Sequence, residues 1–390
     1  MIGFACAPVH ERDSFLLARQ VGITRVANVT GLDRIGLPVA SAIRPNTRNL
    51  SVSFGKGLDW ESALISAIME SAELFFSERP NAATCLATSR ELGPASAIDI
   101  DRLERRDDGI NIQTERMPWL QGSDFVSGSP QWVPAELVSM DYTVEARRQK
   151  RYFTLGATGL AAAFDRDRAI LHALLEVIER DSHRRWNETS DMCREMSLCD
   201  PHAGDCPIVA DILKRIAAAG LAVFVWDMTS DLGVSCYLVE VLDFAAEATT
   251  AYSQGAAADI VPALALRKAL LEAVQVRLTY IAGSRDDLEW SDYGKRYDRI
   301  VENRRHLEVL TSGKAPAKVP PAPEVDFRAS LGQFAGLIEK RRNSRVVVVD
   351  VTGRDDPVHV VKVIVPALND TAPVPRNSAD FASTLVFAGD

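Results

Sequence analysis

The stretch ALISAIMESAELFF, residues 63 to 76, carries two glutamates three positions apart, Glu70 and Glu73, among residues that are otherwise apolar or small. Residues three apart share one face of a helix. Two like charges on an apolar face destabilise a fold unless a cation or a set of hydrogen bonds compensates them. The stretch therefore predicts a helix with a positive group close to its paired carboxylates.

The same arrangement recurs twice in the chain. Glu176 and Glu179 lie in RAILHALLEVIERD (168–181), and Glu272 and Gln275 lie in LALRKALLEAVQVR (264–277). Alanine stands seven and three residues before the first glutamate of each pair: Ala63 and Ala67, Ala169 and Ala173, Ala265 and Ala269. These offsets follow one stripe along a helix. Each helix is therefore expected to present a small-residue face, open to close backbone approach, that ends in a carboxylate pair or a carboxylate and an amide.

Two of the copies are alike beyond the helices. Residues 158–181 and 254–277 align without gaps and share eight of 24 positions, including Gly159 with Gly255. The separation is too long for a solenoid repeat, so the likeness indicates an internal structural echo. The remaining copy follows SFGKG (53–57), interpreted as a glycine turn, with Asp59 as the helix N-cap.

Composition limits the function classes. The 390 residues are 25% charged and 47% apolar, with no run of 18 apolar residues, so we expect no membrane span. The N-terminus lacks the basic start of a signal peptide, which favours a cytoplasmic protein. A net charge of −9 disfavours general nucleic-acid binding, because phosphate contacts need basic stripes.

One group of metal-binding residue types needs a separate interpretation. Cys193, Cys199, His202 and Cys206 have the spacing C-x5-C-x2-H-x3-C, which lacks the tight cysteine knuckle usual in structural zinc sites. A loop between two helices is the favoured interpretation, and zinc stays open.

The pattern of elements predicts an α+β fold. We expect helices at about 59–78, 166–188, 205–220, 262–282 and 327–343, with strands between them and a surface loop at 313–326. The whole chain, residues 1–390, is expected to form one domain with a motif-bearing core at about 51–370. Its three glutamate-bearing helices are expected to meet at a single site.

Several cations could compensate the carboxylates. Magnesium prefers oxygen ligands and often shares them with phosphates. Phosphate donors are available in Lys56, Arg180, Arg277 and Arg285, although SFGKG does not match a Walker A loop. A di-iron site would need Glu-x-x-His pairs, which are absent, but His172 and His183 flank the second motif and leave iron open.

These residues resemble the motifs of the YcaO family. The resemblance lies in S-x-x-x-E-x-x-E from Ser66, E-x-x-E-R from Glu176 and E-x-x-Q-x-R from Glu272. The segments TGLDRIGLPVASAIRP, SFGKG, TGLAAA and KVIVPALN also occur in the family's order, and the resemblance spans about residues 24–370.

The resemblance implies an enzyme that uses ATP and Mg²⁺ to activate backbone amides of a peptide by phosphorylating the amide oxygen. It implies Mg²⁺ binding by the carboxylates Glu70, Glu73, Glu176, Glu179 and Glu272. It implies ATP contacts by Lys56, Ser66, Glu70, Thr158, Arg180, Gln275 and Arg277. Thr158 stands where many members have asparagine. No catalytic residue is assigned.

The resemblance is greatest to members that work with a TfuA-type partner, for which thioamidation of a ribosomally made peptide or protein is inferred. The alternative is an azoline-forming cyclodehydratase acting on Cys, Ser or Thr. Such members often end in a proline-rich tail, whereas this chain ends in STLVFAGD. A non-catalytic ATP-binding partner protein is the alternative of another class. The peptide, the sulfur source and a homodimer stay open.

Overall fold

The structure is a computed structural model that describes residues 11–106, 109–154, 156–201, 206–244, 252–288, 317–318 and 327–368. Its α-helices are α1 (Glu11–Gln20), α2 (Trp60–Ser77), α3 (Ser89–Leu92), α4 (Val144–Arg147), α5 (Arg166–Glu188), α6 (Asp191–Met196), α7 (Pro207–Ala218), α8 (Pro262–Ala282) and α9 (Phe327–Arg342). Short 3-10 helices lie at Thr30–Leu32, Ile100–Arg102, Ile112–Thr114, Ala135–Leu137 and Pro366–Leu368.

The strands form three sheets. They are β1 (Arg25–Asn28), β2 (Val39–Ile43), β3 (Val52–Lys56), β4 (Thr84–Ala87), β5 (Met117–Asp124), β6 (Pro130–Pro134), β7 (Leu160–Ala163), β8 (Leu198–Asp200), β9 (Ala222–Asp227), β10 (Ser235–Leu242), β11 (Tyr252–Asp259), β12 (Ala317–Lys318), β13 (Val347–Asp350) and β14 (His359–Ile364). The sheet orders are β1-β2-β3, β11-β10-β9-β8-β12 and β4-β5-β13-β14-β7, with β6 also paired to β5. Every pairing is antiparallel except that of β8 with β12. Mixed helices and antiparallel sheets confirm the α+β prediction.

The three glutamate-bearing helices begin at residues that favour a helix start, including the predicted N-cap Asp59. The Asp59 side chain accepts a hydrogen bond from the Ser62 N–H at 2.8 Å, and the Asp165 side chain accepts one from the Arg168 N–H at 2.9 Å. Pro262 occupies the first turn of α8. Backbone N–H groups in the first turn have no partner within the helix, so the missing N–H of proline costs no hydrogen bond there. Each helix directly follows a strand: α2 follows β3, α5 follows β7 and α8 follows β11.

The alanine stripe is the face on which these helices pack. All six alanines of the stripe are fully buried. A Cβ on Gly55 of β3 would lie 2.1 Å from the Ala67 nitrogen, and one on Gly255 of β11 would lie 2.3 Å from the Ala273 nitrogen. Any side chain at either glycine would push strand and helix apart. The small-residue face therefore allows the close backbone approach that the sequence predicted.

Two local interpretations from the sequence are wrong. SFGKG is not a glycine turn, because Ser53–Lys56 belong to β3 and pair with β2, and Gly55 is required by the packing against α2. The cysteine-rich segment is not simply a loop: Cys193 lies exposed in α6, and Cys199 is buried in β8. His202 lies outside the described residues. Of the predicted loop 313–326 only β12 is described, paired to β8.

Two large apolar cores lie on either side of the six-stranded sheet. One combines α5, α9 and the even-numbered face of β10, and the other combines α1, α2 and the strands from β4 to β7. A further core joins α7 and α8 to the five-stranded sheet. Within the described part of the chain, no helix is long and apolar enough to cross a membrane.

Candidate functional site

One cavity of about 640 Å³ lies where α2, α5 and α8 meet, and it is bordered by residues of β3, β7 and β11. Its volume is in the usual range for small-molecule sites. Nine of the eleven site residues predicted from the sequence line it: Lys56, Ser66, Glu70, Glu73, Glu176, Glu179, Arg180, Glu272 and Gln275. The three helices thus converge on one site, as expected.

Backbone amides and a lysine hold the carboxylates in place. The Ala162 N–H of β7 donates to Glu73 Oε1 at 2.9 Å, and the Gly159 N–H donates to Glu176 Oε2 at 3.1 Å. Lys56 Nζ lies 3.0 Å from Glu272 Oε2. Residues in or beside the strands that precede the glutamate helices therefore also fix the glutamate side chains. The positive groups predicted near Glu70 and Glu73 are Arg285 and Lys56, whose charges act on Glu70.

Burial makes it unfavourable for the glutamates of the site to carry their negative charges. Burial raises the pKa of Glu70 to about 7, against the opposing effect of the Arg285 and Lys56 charges. Burial, together with repulsion from Glu272 and Glu176, raises the pKa of Glu179 to about 8, although Arg180 lowers it. The pKa values of Glu73 and Glu176 are raised by burial as well. Near neutral pH the Glu70 and Glu179 carboxyls are therefore protonated in part of the ligand-free molecules.

Arg180 lies among the carboxylates of its own helix. Its Nε is 3.6 Å from Glu179 Oε1, and its Nη2 is 3.9 Å from Glu176 Oε1. Arg285, which follows α8, also lines the cavity and pairs with Asp287. With Arg267 and Lys268 of α8, the residues Lys56, Arg180 and Arg285 bring five positively charged side chains to one cavity, which suits an anionic ligand such as a polyphosphate.

Two predicted contacts lie elsewhere. Thr158 does not line the cavity, although its neighbour Ala157 does and its neighbour Gly159 donates a hydrogen bond to Glu176. Arg277 points away: its Nε lies 3.1 Å from Asp33 Oδ2 and its Nη2 lies 4.0 Å from Asp243 Oδ2, with all three side chains buried. The structure therefore gives Arg277 a role in packing α8 against the N-terminal segment, and its nucleotide contact stays a prediction that this geometry does not favour.

The residues fit Mg²⁺ held partly by a ligand. Among the described residues, no three His, Cys, Asp or Glu side chains are close enough together to hold a metal ion by themselves. Mg²⁺ commonly uses one or two carboxylates and takes its other ligands from phosphates and water. Carboxylates on three helices, facing cations across one cavity, suit that mode better than a preformed di-iron cage. His172 lines the cavity at its exposed rim, whereas His183 is buried and does not line it.

Three basic residues at the site were not among the predicted ones: Arg267 and Lys268 of α8 line the cavity, and Lys362 lies beside it. Lys362 of β14 is buried and lies within electrostatic range of Glu176. It sits in the valine-rich run HVVKVI, where a single lysine among core residues was the available signal. Nothing in the sequence places that strand beside the second motif, because the pairing of β14 with β7 spans about two hundred residues.

Comparisons with known proteins bear on this geometry. A family model described as YcaO cyclodehydratase, ATP- and Mg²⁺-binding, matches residues 54–369. An uncharacterized protein in the tfuA 3′ region of Rhizobium leguminosarum bv. trifolii is 33% identical over 359 residues, which cover 90% of this chain and 84% of the relative.

Solved structures share the fold. YcaO from Methanopyrus kandleri bound with AMPPCP and Mg²⁺ matches with a TM-score of 0.67 and 19% identity, covering 93% of this chain and 91% of that one. A heterocyclase in complex with substrate and cofactor matches with a TM-score of 0.72 and 18% identity, covering 90% of this chain, which spans about half the length of that heterocyclase (52%).

The family model covers most of the chain and includes every glutamate that lines the cavity. It confirms ATP and Mg²⁺ as the cofactors that the sequence predicted. With a relative that is one-third identical over nine-tenths of the chain, these findings establish that the chain belongs to the YcaO family.

Proposed function

We propose that this chain is an ATP- and Mg²⁺-dependent enzyme that activates backbone amides of a peptide or protein, and that it installs thioamides together with a TfuA-type partner. The proposed dependence on ATP and Mg²⁺ rests on one observation: five glutamates face Lys56, Arg180 and Arg285 in a single cavity. The relative in the tfuA 3′ region supports the partner and, with it, the thioamide product.

The chemistry explains why such a site is needed. An amide oxygen is a poor leaving group, and bound Mg·ATP supplies the phosphoryl group with which that oxygen leaves as phosphate while sulfur takes its place. The chain's own contribution is positioning and charge. The glutamates would hold the metal, and the side chains of Lys56, Arg180 and Arg285 would stabilise the phosphates.

Mass spectrometry of a reacted peptide tests the product. The enzyme is incubated with ATP, Mg²⁺, sulfide, the TfuA-type partner and peptides from proteins encoded beside its gene. We expect a mass gain equal to the replacement of one oxygen by sulfur. The Glu179→Gln variant should give none, whereas Glu188→Gln, an exposed change on the same helix, should react as the wild type does.

The azoline-forming cyclodehydratase remains the second candidate, because the matching family model carries that description and a heterocyclase shares the fold. A loss of one water from the peptide, dependent on Cys, Ser or Thr, would favour it over thioamidation.

A protein that only binds ATP would release no phosphate when peptide is added. Peptide-dependent phosphate release therefore separates both enzyme proposals from a non-catalytic partner.

A further inference from the structure

Lys362 is a charged residue in a place that packing alone does not explain. It lies on β14 between Val361 and Val363 and is 4% exposed, and the other buried residues of this strand are valines and an isoleucine. Lysine is almost never fully buried unless it is paired. Burial lowers the pKa of its ammonium group to about 8, and the Glu176 carboxylate opposes that change. A lysine that stays buried despite this cost is expected to make a specific structural or functional contact.

Its contact is with the turn that precedes β7. Lys362 Nζ donates a hydrogen bond to the Gly156 carbonyl oxygen at 2.6 Å. The next residue of β14 binds the same turn, because the Val363 N–H donates to the Gly159 carbonyl oxygen at 2.7 Å. The turn closes on itself through the Leu160 N–H and the Ala157 carbonyl oxygen at 2.8 Å. Strand β14 therefore holds residues 156–159 at both ends.

The same turn, residues 156–159, also binds Glu176, one of the glutamates of the site. The Gly159 N–H donates to Glu176 Oε2, and a Cβ on Gly159 would lie 2.2 Å from the Val363 carbonyl oxygen. Gly159 also has a φ of 79°, in the left-handed region that favours glycine. The position of this N–H, and so of the Glu176 carboxylate, depends on the contact between the turn and β14.

We propose that Lys362 is a positioning residue of the nucleotide site: it holds the 156–159 turn against β14, so that the Gly159 N–H and the lysine charge together fix Glu176 for Mg²⁺. Lys362 does not line the cavity and is not given a contact to ligand. The inference rests on the proposed binding of Mg·ATP in this cavity and adds to it a residue from a strand outside the three motifs.

The test combines binding with hydrogen exchange. Affinity for the ATP analogue AMPPCP with Mg²⁺ is measured by calorimetry for the wild type, Lys362→Met, Lys362→Arg and Lys214→Met, the last an exposed lysine of α7. We expect Lys362→Met to weaken binding about tenfold, the lower end of the usual effect of losing a group that orients metal ligands. Lys362→Arg, which keeps charge and donor, should recover part of that loss, and Lys214→Met should bind as the wild type does.

Hydrogen exchange of the ligand-free protein reports on the turn itself. Lys362→Met should speed exchange in the segment covering 156–160 and leave α7 unchanged. Affinity within twofold of wild type, together with unchanged exchange at 156–160, would overturn the proposal. A wild type that does not bind AMPPCP would instead overturn the proposed function.

A double-mutant cycle separates positioning from general destabilisation. If Lys362 acts through Glu176, then Lys362→Met should weaken binding less in a Glu176→Gln background than in the wild type. Equal losses in both backgrounds would contradict the inference. Should Lys362→Met not fold, as judged by circular dichroism, the same cycle is run with Lys362→Gln, which keeps a donor for the Gly156 carbonyl oxygen without the charge.

Discussion

At the scale of single residues, two arginines that follow similar motifs have different surroundings. Arg180 follows Glu179 directly and lies among carboxylates that line the cavity. Arg277 follows Gln275 by two residues, and its guanidinium is buried against Asp33 and Asp243. A residue's position in a sequence motif therefore does not fix its role here. Its side-chain partners do.

The Arg277 pair gives a prediction about stability. Removing one member of a buried ion pair leaves an uncompensated charge and typically lowers the free energy of unfolding by about 3–5 kcal/mol. Arg277→Met should do so in urea denaturation, because Asp33 stays buried without its partner, whereas Asp243 keeps its ion pair with Arg34. Arg215→Met, which breaks an exposed pair with Asp211, should change stability by less than about 1 kcal/mol. An Arg277→Met protein with wild-type stability and no ATP binding would instead support the nucleotide contact that the resemblance implied.

The raised carboxyl pKa values give a prediction about pH. Glu70 and Glu179 have pKa values of about 7 and 8 in the folded protein, above the ordinary value of 4.5. Between the ordinary and the raised values the folded ligand-free protein binds more protons than the unfolded chain, so its free energy of unfolding falls as pH rises through this window. Mg²⁺ needs deprotonated ligands, so stabilisation by Mg·ATP should grow over the same range.

Thermal denaturation between about pH 6 and 8 measures both trends. The melting temperature of the ligand-free protein should fall, and the increase caused by Mg·ATP should become larger. Glu179→Gln should flatten the first trend, and the exposed Glu188→Gln should not. A ligand-free melting temperature that rises across this window would contradict the assigned pKa directions.

At the scale of elements, the repeated unit is a strand followed by a glutamate-bearing helix. Two of the three units pack helix on strand through alanine against glycine, at Gly55 and at Gly255. In the remaining unit Gly159 approaches β14 instead, and α5 packs on β14, β7 and β11. The same sequence pattern therefore packs in one way in two of the units and in another way in the third.

Gly55→Ala tests the close approach. Its new Cβ would lie 2.1 Å from the Ala67 nitrogen and 2.3 Å from the Ala63 carbonyl oxygen, both backbone atoms of α2 that cannot move independently. We expect the free energy of unfolding to fall by about 1–3 kcal/mol. Gly332→Ala, inside α9 with no atom within 4 Å, should raise it by about 0.5–1 kcal/mol. Equal effects of the two changes in urea denaturation would contradict the packing described.

The five longest helices could be predicted well from the sequence, because local signals decide them, whereas α1 and the short helices α3, α4 and α6 were not predicted. Asp59, Asp165 and Pro262 mark helix starts, and the alanine offsets mark the buried face. SFGKG was misinterpreted because its glycine serves a contact with a helix rather than a turn. The order of the sheets could not be predicted, because strand pairing depends on contacts between residues far apart in sequence.

At the scale of the whole molecule, the cavity is assembled from segments across the chain. Residues of β3, β7 and β11 border it, and each of these strands lies at the end of its sheet order within the described residues. Their backbone groups are therefore free to bind carboxylates, as the Ala162 N–H binds Glu73. Three sheet edges and three helices together make the site.

The sequence predicted that the three helices meet, because buried carboxylates need shared compensation. It could not predict that Asp33 would bury Arg277 or that Lys362 would reach the second motif. Both contacts join residues far apart in the chain, 244 residues for Arg277 with Asp33 and 206 for Lys362 with Gly156, and no local pattern specifies which distant residues meet.

The central claim is that the three helices form one Mg·ATP site, and calorimetry of AMPPCP binding in the presence of Mg²⁺ tests it most directly. We expect one analogue bound per chain by the wild type. The variants Glu73→Gln, Glu179→Gln and Glu272→Gln, one in each helix, should each weaken that same binding event by at least about tenfold. Binding that persists unchanged when both Glu73 and Glu179 are replaced, or several independent binding events that are lost one at a time, would contradict the claim.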